Sequence, residues 1–137
     1  MSVHRINLRG PWKLEHGTVA ASSAQKVRLP AEWHDLFRGS SGLVRLTRTF
    51  HRPTNLGPEE EVDLIFEQWP GAWTIRLNQR PIAEFRDSSV EKPQRITVTA
   101  LLQPANALSA ETQLDDRPGQ RTGHCLVGAA SLEIRSL

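Results

Sequence analysis

The chain is cut into short runs in which apolar and polar residues alternate, and nearly every run stops at proline, glycine or asparagine. A period of two is the spacing of side chains on a half-buried strand, and frequent turn residues leave little room for long helices. The stretch "RINL" leads into Pro11, "WKLEH" ends at Gly17, and "QKVRL" ends at Pro30. "LVRLTRTFH" stops before Pro53, and "EVDLIFE" follows the charged turn "NLGPEEE". "AWTIRLN" and "PIAEF" are joined by Gln79 and Arg80, while "RITVTALL", "ALSAETQL" and "CLVGAASLEIRS" complete the series. Eight to ten strands at this spacing predict an all-β sandwich or barrel.

Alternation also predicts which side chains face inward. Val62, Leu64 and Phe66 share one face, and Asp63 and Glu67 the other. Ile65 interrupts that polar face, so it is expected either to be covered or to offer an apolar spot to a partner. Val44, Leu46 and Phe50 form a second inward row. Arg48 stands in the same row and therefore needs a carboxylate partner or an exit to the rim. Trp73, Ile75 and Leu77 share parity, which places Trp73 in the core and Thr74, Arg76 and Asn78 outside. One stretch, "LPAEWHDLFRG", predicts a short helix near residues 30–38. Pro30 suits its first turn, Glu32 its positive end, and Arg38 before Gly39 its stop. "QLDDRPGQRTGH" predicts a surface loop.

The 137 residues suit one domain with a full hydrophobic core. The formal charge is only +2, and the basic residues are scattered, which argues against a nucleic-acid partner. No apolar run is long enough to span a bilayer and the start lacks an apolar signal core, so neither a membrane nor export is expected. Cys125 is the only cysteine, which fits a cytoplasmic location.

The ordered runs resemble the N-terminal sugar-binding domain of glycoside hydrolase family 2, the family of β-galactosidases and β-glucuronidases. Leu8, Gly10 and Trp12 match its opening Leu-x-Gly-x-Trp. Val27, Pro30 and Trp33 match Val-x-x-Pro-x-x-Trp. "GLVRLTRTF" keeps Gly42, Arg48 and Phe50 of the next strand, with Leu46 in the tyrosine place. "IRLNQRPIAEF" resembles the pair around Val-x-Leu-Asn-Gly, with Asn78 in place and Gln79 where the turn glycine stands. "RITVTALLQPANAL" and "CLVGAASLEI" resemble the closing segments. The resemblance spans nearly the whole chain and implies a galactose-binding-like jelly roll.

Two departures bear on function. Gln79 would be strained in a turn that needs positive φ. Cys125, Val127 and Gly128 replace a glycine, an aromatic and, in many members, an arginine, which implies that a barrel-facing role is lost. Hydrolysis by the family mechanism needs two carboxylates carried by a barrel for which 137 residues leave no room, so no enzyme is expected.

The other motifs give no chemistry. His4, His16, His34, His51 and His124 lack metal-ligand spacing, no nucleophile elbow or phosphate loop occurs, and neither a metal nor a cofactor is expected. Trp12 and Trp33 are expected in the core. Trp69, beside Pro70 and Gly71 in a turn, either faces solvent and stacks on a ligand or packs inward. With His34, Asp35, Arg38 and Asp87 in neighbouring loops, it makes up the candidate ligand site. The expectation is a non-catalytic carbohydrate-binding module reading a saccharide through loops at one end. The alternative is an interaction sandwich that pairs with itself or with another protein.

Overall fold

Twelve strands form among the described residues of the computed structural model, which are 3–16, 25–32, 35–36, 42–54, 56–69, 71–86, 93–114 and 126–136. In chain order they are β1 (Val3–Asn7), β2 (Trp12–His16), β3 (Gln25–Val27), β4 (Ala31–Glu32), β5 (Gly42–His51) and β6 (Glu60–Glu67). There follow β7 (Trp73–Leu77), β8 (Arg80–Phe85), β9 (Gln94–Thr97), β10 (Ala105–Leu114), β11 (Leu126–Val127) and β12 (Ala129–Ser136). A four-stranded sheet runs β1-β12-β6-β9 and a six-stranded sheet runs β3-β2-β5-β10-β7-β8, every pair antiparallel. The two sheets form a jelly-roll β-sandwich. No helix among the described residues is long and apolar enough to cross a membrane.

The inward rows meet as the alternation predicts. Val62, Leu64 and Phe66 face Val44, Leu46, Ile75, Leu77 and Leu108, and all are buried. Trp12 and Trp73 are about 1 % exposed and join the same core.

The expected helix does not begin at Pro30. Ala31 and Glu32 pair as a strand with Val127 and Leu126. This small ladder supplies backbone partners for Ala31 and Glu32, and helix-start signals cannot compete with it. Asp35 and Leu36 are helical; the rest of that expectation, Trp33 included, lies outside the described residues.

Asn78 and Gln79 make a two-residue turn between β7 and β8, with Leu77 opposite Arg80. Both have positive φ, 53° and 71°, as a type I′ turn requires. Asn78 tolerates this region, and its side chain is fixed there. Its Nδ2 donates to Asn106 Oδ1 at 3.0 Å, while its Oδ1 accepts from the Ala107 amide at 2.9 Å. Gln79 is exposed and gains no such compensation from its side chain. Gln79→Gly is therefore expected to stabilise the fold by about 0.5–1 kcal/mol, since relief of left-handed strain exceeds the added freedom of the unfolded chain. Calorimetry should show the midpoint rising by about 2–4 °C.

The outer face of the four-stranded sheet is a ladder of opposite charges. Asp63 is fully buried although its strand parity points it outward. Arg95 Nη1 donates to Asp63 Oδ2 at 2.7 Å and to Glu133 Oε1 at 2.8 Å. Arg135 Nε donates to Asp63 Oδ2 at 2.8 Å, and Arg135 Nη2 to Glu61 Oε2 at 2.6 Å. Thr97 Oγ1 donates to Asp63 Oδ1 at 2.7 Å, and Arg5 Nη2 to Glu133 Oε2 at 3.0 Å. Burial opposes the charge on Asp63, but hydrogen bonds from Arg95, Arg135 and Thr97 outweigh it and hold the carboxyl below its ordinary value. Glu133 is lowered by its bonds from Arg95 and Arg5. Ile65, beside this ladder, is only 3 % exposed. It is covered, and it presents no apolar spot to a partner.

Candidate functional site

Strand register decides which loops meet. Gly42 lies opposite Leu114, Trp73 opposite Phe85, Glu67 opposite Ala129, and Phe66 opposite Gln94. The strand ends that flank residues 33–41, 68–72, 86–93 and 115–125 thus gather at one end of the sandwich. Of the candidate ligand residues, His34, Arg38 and Asp87 lie outside the described residues. Asp35 is described and exposed.

Trp69 belongs to the interior and not to the surface of that end. It is 2 % exposed, and its Nε1 donates to the Ala129 carbonyl at 3.0 Å. Its ring centroid lies 6.2 Å from Trp12, 5.8 Å from Phe66 and 5.0 Å from Trp73, the last two contacts edge to face. A ring with one donor answered and three aromatic neighbours has no face left for a ligand. The solvent-facing alternative is thereby excluded. The turn around it brings Trp69 in because Gln68 and Gly71 both take positive φ, 61° and 96°. Gly128 closes the same corner: its amide donates to the Gln68 carbonyl at 2.8 Å. With φ at 97°, a Cβ there would sit 2.7 Å from Leu29 Cδ1. A glycine at 128 is thus demanded by the backbone conformation and the packing against Leu29.

Beside these strand ends, on the outer face of the six-stranded sheet, lies a shallow cavity of about 480 Å³. Leu43, Thr74, Arg76, Glu84, Glu111 and Gln113 are among the residues that line it. One transverse row runs Arg45, Glu111, Thr74 and Glu84 across β5, β10, β7 and β8. Glu111 Oε1 accepts from Arg76 Nη1 and lies 3.5 Å from Arg45 Nε. Its carboxylate is thus held between two guanidinium groups, with its side chain 13 % exposed. The Thr112 hydroxyl donates to the Ala72 carbonyl, tying the cavity floor to the 69–72 turn. Leu43, 38 % exposed, adds an apolar wall. Clustered donors and acceptors beside one apolar surface suit a ligand rich in hydroxyls. Outward parity could have found Thr74 and Arg76 in the sequence, but nothing there disclosed that Glu111 lies opposite Thr74. Among the described residues no cluster of three or more histidine, cysteine, aspartate or glutamate side chains could hold a metal.

No protein-family model and no curated protein sequence matches the chain. Solved structures do. The FMN-binding β-glucuronidase of Faecalibacterium prausnitzii L2-6 superposes with a TM-score of 0.75 at 20% identity, over 98% of this chain and 23% of that one. A putative β-galactosidase of Bacteroides fragilis gives 0.72 at 17% identity, over 99% and 24%. The β-D-glucuronidase of Dictyoglomus thermophilum gives 0.74 at 10% identity, over 98% and 28%. This chain has the fold of a domain of those enzymes. It agrees with the jelly roll that the resemblance to glycoside hydrolase family 2 implies, and it spans about a quarter of their length.

Proposed function

We propose that the chain is a carbohydrate-binding module that takes a saccharide at the loop end of the sandwich, over the cavity beside Glu111, without catalysis of its own. The observation carrying this reading is the Glu111–Arg76 pair, flanked by Arg45 and set in a cavity with Thr74, Gln113 and the apolar Leu43. Arginine and carboxylate side chains offer directed donors and acceptors to ring hydroxyls, and a leucine surface suits the apolar face of a pyranose. The connections that carry His34, Asp35, Arg38 and Asp87 start from strand ends at the same rim, so these side chains are proposed to supply further contacts. Solved chains of this fold are named β-glucuronidases and β-galactosidases, which makes glucuronides and galactosides the first probes. Titration of the isotopically labelled chain with a panel of such saccharides should shift the backbone amides of Thr74, Arg76, Glu84 and Gln113. Glu111→Gln should weaken binding about tenfold or more, the size expected on losing a charge-assisted hydrogen bond. A panel that moves no amide in this region would reject the proposal.

A further inference from the structure

A second opening lies at the other end of β5. Strand β2 pairs with β5 only from His16 opposite Val44 to Lys13 opposite Thr47, its first residue Trp12 pairing instead with Val27 of β3. From Arg48 to His51, β5 keeps β10 on one side and has no strand on the other among the described residues. The facing sheet ends there in its edge strand β1. A cleft of about 600 Å³ therefore opens between the layers. Ile6, Leu8, Phe50 and Leu132 give it apolar walls from both sheets, and Arg48 and His51 give it polar groups.

Arg48 is the anomaly in this cleft. It keeps its place in the inward row; of the two expectations for it, a carboxylate partner is not found among the described residues, while the end of its side chain reaches the exposed rim. Its Nη1 donates to the neighbouring Thr49 carbonyl, and its Nε is buried with no acceptor. A guanidinium partly withdrawn from water without a counter-charge is one half of an ion pair. The matching half is a planar carboxylate, which accepts two parallel N–H bonds. The walls beyond it are hydrocarbon, suited to an alkyl body and not to a sugar.

We infer that this inter-sheet cleft binds a small amphipathic monocarboxylate, with its carboxylate on Arg48 and its alkyl chain against Ile6, Leu8, Phe50 and Leu132. The site is separate from the saccharide cavity and does not depend on it.

Calorimetric titration with decanoate, 1-decanol and acetate, all below micellar concentration, tests the assignment. Decanoate is expected to bind at least tenfold more tightly than 1-decanol, and acetate to give no measurable heat. Arg48→Leu puts an apolar side chain into an inward row, so it should fold at least as well as the parent. It should also reduce decanoate to the affinity of 1-decanol. Ile6→Ser, at the exposed edge, should weaken both long-chain ligands together. Equal affinity for decanoate and 1-decanol, no binding of either, or undiminished decanoate binding by Arg48→Leu would overturn the inference. So would a concentration-dependent dimer in light scattering that Arg48→Leu abolishes, which would give the cleft to a second copy of the chain.

Discussion

Trp69→Ala is expected to lower the unfolding free energy by about 3–5 kcal/mol, the cost of removing a large buried aromatic side chain from a packed interior. The ring touches Trp12, Phe66 and Trp73, and its removal also leaves the Ala129 carbonyl without its donor. A domain of this size has about 5–15 kcal/mol in total, so the variant should sit near the edge of folding at physiological temperature. Urea titration, followed by the fluorescence of the other tryptophans, should show an early midpoint with the slope retained. Trp69→Phe should cost less, because it keeps part of the edge-to-face contact while losing the indole donor and some ring volume. A surface tryptophan serving a ligand would behave in the opposite way, with stability intact and binding lost.

Asp63→Asn should be the second severe change and should carry a distinctive pH signature. At neutral pH it strips the shared charge from beneath Arg95 and Arg135. Breaking a buried ion pair costs about 3–5 kcal/mol, and the partly exposed arginines reduce this to about 2–3 kcal/mol. The folded carboxyls of Asp63 and Glu133 both lie below their ordinary values of 3.8 and 4.5. A depressed folded value means that the unfolded chain takes up protons first on acidification. Their contribution is therefore complete above about pH 5, begins to fall below these ordinary values, and is gone once pH drops through the folded ones. Thermal midpoints between pH 7 and pH 3 should fall steeply for the parent and less steeply for Asp63→Asn, so that the two curves converge in acid. Parallel curves would show that the carboxylate contributes no linked protons.

How much of this was legible in the sequence depends on the range of the interaction involved. The inward rows of β5, β6 and β7 were readable because a period of two is a local property, and Val44, Leu46, Val62, Leu64, Ile75 and Leu77 all obey it. The brief β4 was not readable, since its partner β11 lies almost a hundred residues away and only that pairing overrides the helix-start signals around Pro30. Trp69 was ambiguous for the same reason. Its neighbours Trp12 and Trp73 arrive from other strands, and turn residues beside it say nothing about which way the ring swings. Arg48 is out of place by parity alone, but that no strand flanks this part of β5 and no carboxylate meets Arg48 among the described residues depends on where the pairing of β2 with β5 ends. The Glu111 group, too, exists only once β10 has been set in register between β5 and β7.

The alternating charges on the four-stranded sheet have a consequence for association. Arg5, Arg95 and Arg135 already answer Glu61, Asp63, Glu67 and Glu133 within one wall. A newcomer pressed against that wall would strip water from ions already paired within it, so the encounter is repaid weakly and only for as long as salt is scarce. Desolvating these paired ions therefore penalises association through this face of the sandwich.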